Sequence, residues 1–357
     1  MDKEDPSGKP SQAKAEKPQR VRPPSAESKD SPASKQTIVG IGASSGGLTA
    51  LRKLFEHVPA DSGLAYVVVV HLSPEHESHL AELLQPHVKM PIRQVTKTIP
   101  IEKNHIYVIP PNANLNTIDS HLRLSKLEER PRERAPIDHF FHTLANTYDG
   151  RSVGVVLTGT GADGTLGLKE IKEKGGFTVV QNPSEAEYEG MPQSAIDSGA
   201  VDLVLPLAEI GPTVAGFASV HPKLPKVGRD DEIEDEVRAL LHRVFRYLKS
   251  RVNRDFTSYK HSTVIRRIHR RMQLCGIEEV SNYMERLKED PKEARILADD
   301  LLITVTSFFR DPDVHRLLAE NVIPQTFDKK GADDEIRVWS VGCATGEEAY
   351  SLATLFL

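Results

Sequence analysis

Short apolar runs rich in β-branched residues recur through the first part of the chain, at 37–41, 64–70, 105–109, 152–157, 177–180 and 201–205. Patterns of helical period separate them, at 48–57, 137–148 and 164–174. Strands apolar on both faces and spaced by helices predict an α/β domain over 36–215, a doubly wound, mostly parallel sheet. Ligands of such sheets bind at the carboxyl ends of the strands. From 237 the period turns helical at 237–252, 262–274, 279–289, 293–302 and 313–320, which predicts a small all-α domain over 237–325. A last apolar run at 336–340 predicts a strand that leads through a Gly-containing turn into a helix, within a final segment 326–357.

Two stretches lack this periodicity. Residues 1–35 hold six prolines and no Leu, Ile, Phe, Tyr or Trp, so they cannot bury enough apolar surface to offset ordering entropy and are expected to be disordered. Residues 216–236 carry His221-Pro222, Leu224-Pro225 and a run of Asp and Glu from Asp230 to Glu236, and are expected to link two domains.

Composition narrows the classes. A net charge of −5 with 27% charged residues argues against a nucleic-acid binder. Two cysteines, Cys275 and Cys343, do not make a disulfide framework, so a reducing cytoplasm is the expected compartment. No apolar run approaches the ~18–20 residues that span a bilayer, so membrane insertion is not expected.

The candidate chemistry begins at Gly42-Ala43-Ser44-Ser45-Gly46, where a strand gives way to a helix. It fits G-x-S-x-G, whose small residues allow a sharp turn that lifts a serine to the top of a sheet. The following helix terminus offers unpaired N–H groups to an oxyanion. A dinucleotide-binding glycine turn is the competing reading. After Gly40 and Gly42, however, that fingerprint needs glycine where Ser45 stands, and an acidic residue where the second strand ends in His71. A nicotinamide-dependent oxidoreductase is therefore disfavoured.

His71 follows an apolar strand, as Ser44 does, and suits a general base. Asp163, in Leu157-Thr158-Gly159-Thr160-Gly161-Ala162-Asp163-Gly164, follows another and suits the carboxylate that orients it; helix capping is its alternative role. The order Ser, His, Asp is not that of the α/β-hydrolases. His76-Glu77-Ser78-His79 is one residue short of H-E-x-x-H, and no metal site is expected.

Ile41 to Gly47, Val70-His71, Leu157 to Gly164 and Gly190-Met191-Pro192 together resemble the CheB chemotaxis methylesterase. The resemblance implies a serine hydrolase that demethylates glutamate methyl esters on the cytoplasmic helices of methyl-accepting chemoreceptors, deamidates glutamines there, and needs no cofactor. It assigns Ser44, His71 and Asp163 as the triad, places Ser45 and Thr160 at the oxyanion, and makes Gly190 and Met191 part of a cleft wall in the loop 181–193. Thr160 stands where relatives carry methionine. The family's gating phosphoacceptor domain has no counterpart in the 35 residues before the sheet, so control by phosphorylation in cis is not expected.

The stretches 301–312 and 337–351 resemble the CheR receptor methyltransferase, which makes the chain look like a CheB–CheR hybrid with an incomplete second half. The resemblance implies S-adenosylmethionine contacts for Thr306, Arg310 and Glu348, with Thr304 where some relatives have asparagine. It also turns the basic helix bearing Lys260, Arg266, Arg267, Arg270 and Arg271 towards the receptor. One strand and one helix cannot close a cofactor pocket, so this chain is expected to bind S-adenosylmethionine weakly or not at all and not to methylate. The competing function is a non-catalytic scaffold that binds receptors through both halves.

Overall fold

The computed structural model describes residues 36–71, 78–126, 135–224, 235–302, 308–310, 312–328, 330–331, 334–344 and 346–356. The expected disordered tail and Thr304 and Thr306 fall outside these residues.

The first domain contains β1 (Ile38–Ala43), α1 (Gly47–Glu56), β2 (Ala65–Val70), α2 (Leu80–Leu84), β3 (Ile92–Gln94), β4 (Ile99–Pro100), β5 (His105–Val108), β6 (Ala113–Ile118) and β7 (His121–Lys126). It continues with α3 (Pro136–Tyr148), β8 (Ser152–Val156), α4 (Thr165–Glu173), β9 (Phe177–Gln181), α5 (Gly190–Asp197), β10 (Leu203–Leu205) and α6 (Leu207–Ser219). Seven strands form one sheet in the order β10-β9-β8-β1-β2-β5-β3, with every pairing parallel. The central strands β1, β2, β8 and β9 are buried at every position, as their unbroken apolar runs require.

A second, antiparallel sheet, β4-β7-β6, was not expected. Residues 113–126 are mostly polar, and only alternate positions such as Leu115, Thr117 and Leu122 are buried. The hairpin turns at Asp119-Ser120, with Ile118 opposite His121 and Asp119 at φ 50°.

The all-α domain contains α7 (Asp235–Val252), α8 (His261–Leu274), α9 (Val280–Glu289) and α10 (Pro291–Leu301), packed on a core of its own around Leu241, Phe245, Ile268, Tyr283 and Leu297. The linker expected over 216–236 is shorter than that. α6 runs to Ser219, the Lys223 N–H donates to the Glu278 carbonyl at 2.8 Å, and Leu224 is buried in the helical core.

The remainder holds α11 (Pro312–Leu317), a π-turn (Leu318–Val322), α12 (Ile323–Phe327) and α13 (Glu347–Leu355). The strand expected at 336–340 does not form. Those residues pair with no other strand, and Trp339 is 88% exposed. A strand is held by its neighbours' backbone, and none is in place here. No helix among the described residues is long and apolar enough to cross a membrane.

Candidate active site

Parallel pairing brings the expected residues to one end of the sheet. Ala43 and Val70, the last residues of β1 and β2, lie opposite each other, so Ser44 and His71 stand one step beyond the same edge. β8 flanks β1 on the other side and delivers the loop from Leu157 to Gly164.

Ser44 enters a tight turn. Its N–H donates to the Thr158 carbonyl at 3.0 Å, and its own carbonyl accepts from Gly47 N at 2.8 Å. Gly46 then sits at φ 76° as the residue before α1, a left-handed conformation that suits glycine, and a Cβ there would strike Glu187. Ser45 is exposed, with its N–H at the start of α1. Gly159 is equally constrained, because a Cβ would collide with Met191 Sδ and the Ser44 Cβ.

The wall of the site is tied together by Thr158, which the sequence reading did not single out. Its N–H donates to Gln181 Oε1 at 2.8 Å, and its buried hydroxyl donates towards the Ser45 and Tyr188 carbonyls while accepting from Tyr188 N at 2.8 Å. Gly159 N donates to the Tyr188 carbonyl, and Met191 N donates to that of Gly159. Gly190 lies against this loop, close to Gly161 N and Thr160 Cα, and Thr160 is exposed beside it. Met191 departs from its expected role. Fully buried beneath Gly159, it presents no surface to a cleft and supports the loop from below.

His71 and Asp163 meet directly: His71 Nε2 donates to Asp163 Oδ2 at 2.7 Å. The imidazole is about one-third exposed, whereas the carboxylate is 7% exposed. Among the described residues, no side-chain hydrogen bond joins Ser44 to His71. Catalytic hydrogen bonds of this kind often tighten only when substrate is bound.

Asp163 is anchored from its far side as well. Oδ2 accepts from Ile137 N at 3.1 Å and Oδ1 from Asp138 N at 2.9 Å, both in the first turn of α3. These N–H groups have no partner within their own helix, and the helix dipole adds a favourable field for an anion. A helix terminus thus holds the carboxylate that holds the histidine.

The side chain of Asp138 points the other way and accepts from Gly167 N, in the first turn of α4, at 2.7 Å. Burial pushes its carboxyl up to about 7, and the nearby charge of Asp163 pushes in the same direction, against hydrogen bonds from Gly167 and Gly164. Asp138 also went unnoticed in the sequence. The available signal was an acidic residue just after Pro136, at a helix start.

The basic helix does not behave as the methyltransferase resemblance implies. Arg267 and Arg270 of α8 are buried against the α/β domain. Arg267 donates to the Lys172 carbonyl, and Arg270 donates to the Gly176 carbonyl at 2.9 Å. Arg270 also pairs with Asp202 and, at 2.7 Å, with Asp300. Arg271 is held by Glu293, with contacts of 2.6 and 2.9 Å. Burial alone would raise the Asp202 carboxyl, but Arg270 and Lys172 outweigh it and hold the group below the usual carboxylate range. Buried partners draw Arg267, Arg270 and Arg271 inward, whereas Lys260 is exposed and Arg266 partly so, beside an exposed Asp149.

Of the residues expected at S-adenosylmethionine, Arg310 and Glu348 are among those described. Arg310 pairs with Glu173 of α4 at 2.7 Å. Glu348 is exposed on α13, and Val338, Trp339 and Val341 are open to solvent. The Phe309 N–H does reach Ser351 Oγ at 2.8 Å, so the two stretches that resemble a methyltransferase touch. Among the described residues, no three His, Cys, Asp or Glu side chains are placed to hold a metal ion, and His76 and Glu77 fall outside those residues.

Comparison with known proteins agrees with this division of the chain. The family model described as CheB methylesterase matches residues 39–214, the CheR methyltransferase all-alpha domain matches 239–302, and the CheR methyltransferase SAM binding domain matches 304–357. A putative protein-glutamate methylesterase/protein-glutamine glutaminase of Leptospira interrogans is 35% identical over 171 residues, 48% of this chain and 89% of that protein. An uncharacterized 104.1 kDa protein of Rhodobacter capsulatus is 37% identical over 298 residues, 78% of this chain, which spans only 31% of that relative's length. The crystal structure of the Thermotoga maritima CheB methylesterase catalytic domain is 26% identical, with a TM-score of 0.47, over 50% of this chain and 97% of that one. The chain therefore belongs to the CheB methylesterase family, with the all-α and SAM-binding parts of a CheR methyltransferase following in the same polypeptide.

Proposed function

We propose that the α/β domain hydrolyses glutamate methyl esters on chemoreceptors, and deamidates glutamines in the same positions, with Ser44 as nucleophile, His71 as general base and Asp163 as its orienting carboxylate. The observation that carries this reading is the His71–Asp163 hydrogen bond, anchored on the α3 terminus and set beside Ser44 at the strand ends. Names of relatives such as the Leptospira protein support the substrate class.

Ser44 Oγ attacks the ester carbonyl as His71 takes its proton. The negative charge that develops on the carbonyl oxygen is met by N–H groups at the start of α1, Ser45 first, with Thr160 beside them. Collapse expels methanol, protonated by His71, and leaves an acyl-enzyme on Ser44. Water, deprotonated by the same imidazole, then releases the glutamate. For a glutamine the leaving group is ammonia. Asp163 stays ionised throughout and stabilises the imidazolium.

The experiment is methanol release from methylated receptor, comparing the intact chain with Ser44→Ala. Loss of roughly a millionfold in rate is expected, because the nucleophile has no substitute. Undiminished release from Ser44→Ala rejects the triad. No release from the intact chain favours the scaffold reading.

A further inference from the structure

Asp163 is not the only carboxylate at this end of the sheet. α4 is preceded by Gly164, which has no side chain to cap it, and the cap comes instead from another helix: Asp138 Oδ1 accepts from Gly167 N. The backbone N–H of the same residue donates to Asp163 Oδ1. One residue therefore bridges two helix termini, with its main chain on the triad and its side chain on the neighbouring helix.

We propose that Asp138 is a positioning residue of the triad: it fastens the amino end of α3, whose N–H groups hold Asp163, to the amino end of α4, and its negative charge stabilises the imidazolium formed on His71. This rests on the esterase reading of Ser44, His71 and Asp163.

Two features separate this from simple capping. A cap needs only an acceptor oxygen, and it could be supplied by the helix's own preceding residue, as is usual. Here the acceptor belongs to a second carboxylate beside the one that binds the base. A neutral carboxyl keeps an acceptor oxygen for these N–H groups, though a weaker one, so a change of charge need not move α3. The carboxyl is also pushed up to about 7 by burial and by Asp163, so its charge changes near neutral pH.

The groups that face it from the surrounding elements are few. Asp163 lies on the loop after β8, and beyond it is His71 at the end of β2. Glu170 of α4 adds a weaker repulsion, and it is itself occupied by His142 of α3 at 2.5 Å. None of the leading contributions to the shift at Asp138 comes from a cation. An added negative charge there acts on His71 through Asp163, in a partly buried region where screening by solvent is weak.

The test compares Asp138→Asn with the intact chain. Asparagine keeps an acceptor for Gly167 N and removes the charge. The expected result is a fall in kcat of about three- to tenfold near pH 8 with KM little changed, and an acid limb of the kcat/KM profile displaced to lower pH. In the Ser44→Ala background, the His71 ring resonances should also titrate at lower pH once Asp138→Asn is added, by about half a pH unit or more. Superimposable profiles and coincident His71 titrations would show a cap and nothing more, and would overturn the proposal. The resonance titration does not need turnover. If the intact chain released no methanol, the esterase reading would fail while the coupling of Asp138 to His71 was still decided.

Discussion

The two ends of the parallel sheet use the same side-chain types for opposite purposes. At the carboxyl end, Asp163 and Asp138 sit on helix N-termini, and the histidine that one of them holds is partly open to solvent. At the amino end, Asp202 precedes β10 with its oxygens filled by Lys172 at 3.3 Å, by Arg270 and by Thr178. One arrangement leaves an imidazole able to take up a proton. The other has no capacity left and joins α8 to the α/β domain. A charged residue in a sequence becomes chemistry or joinery according to how many of its hydrogen bonds the fold has already used.

Asp138 and Asp202 make the contrast sharpest. Burial raises the first to about 7, whereas arginine and lysine hold the second below its usual range. Their contributions to stability therefore run in opposite directions with pH. Asp138, raised in the folded state, contributes stability that is complete below about pH 4 and is lost as pH rises through about 7. Asp202, lowered in the folded state, contributes stability above the ordinary carboxylate range that is lost as pH falls through its depressed value.

The largest expected break of the comparison is catalytic and confined to one end. Asp163→Asn should lower kcat by about 10⁴-fold, because the amide no longer favours the imidazolium, with the fold intact by circular dichroism. At the other end, Arg270→Met should leave Asp202 and Asp300 buried without their cation and cost about 3–5 kcal/mol in chemical denaturation. Methanol release per folded molecule should change less than twofold, since α8 meets the domain at the amino ends of the strands. Adding Asp202→Asn and Asp300→Asn to Arg270→Met should restore part of the loss, which a thermodynamic cycle would measure.

A smaller effect separates the two carboxylates. Asp138→Asn should be more stable than the intact chain at pH 8 by on the order of 2 kcal/mol, with the difference shrinking towards pH 4. A pH-independent difference in Tm would contradict the raised carboxyl. Smallest of all, S-adenosylmethionine should give no micromolar heat of binding to the 357-residue chain in isothermal titration calorimetry, because Arg310 is paired with Glu173 and the turn at Gly342 is open. Micromolar binding would mean that residues 304–357 assemble a pocket when the cofactor is present.

Much of the α/β domain was legible because buried parallel strands are written as uninterrupted apolar runs, and all six expected strands formed within a residue or two of their predicted bounds. The antiparallel sheet was not legible. Its strands face solvent on one side and alternate polar with apolar over too few residues to stand out. Ser44, His71 and Asp163 could be named because each follows such a strand. Asp138 and Thr158 could not, since their roles depend on partners 25–30 residues away, at Asp163, Gly167 and Tyr188. The basic face of α8 misled for the reciprocal reason: Asp202 lies far from Arg270 in the chain, and nothing in the helix itself shows that a buried carboxylate awaits it.

By itself the sequence determined six of the seven strands of the parallel sheet, the elbow at Ser44, the strand-end places of His71 and Asp163, and the change to a helical domain beyond 236. Those follow from period, turn chemistry and local apolar content, which act over a few residues. Only the tertiary structure decided that α3 presents its N–H groups to Asp163, that Asp138 ties that helix to α4, that Met191 lies beneath Gly159, and that Arg267 and Arg270 of α8 are enclosed. Each of these depends on a polar group that finds its partner across the fold, where burial fixes both its charge and its use.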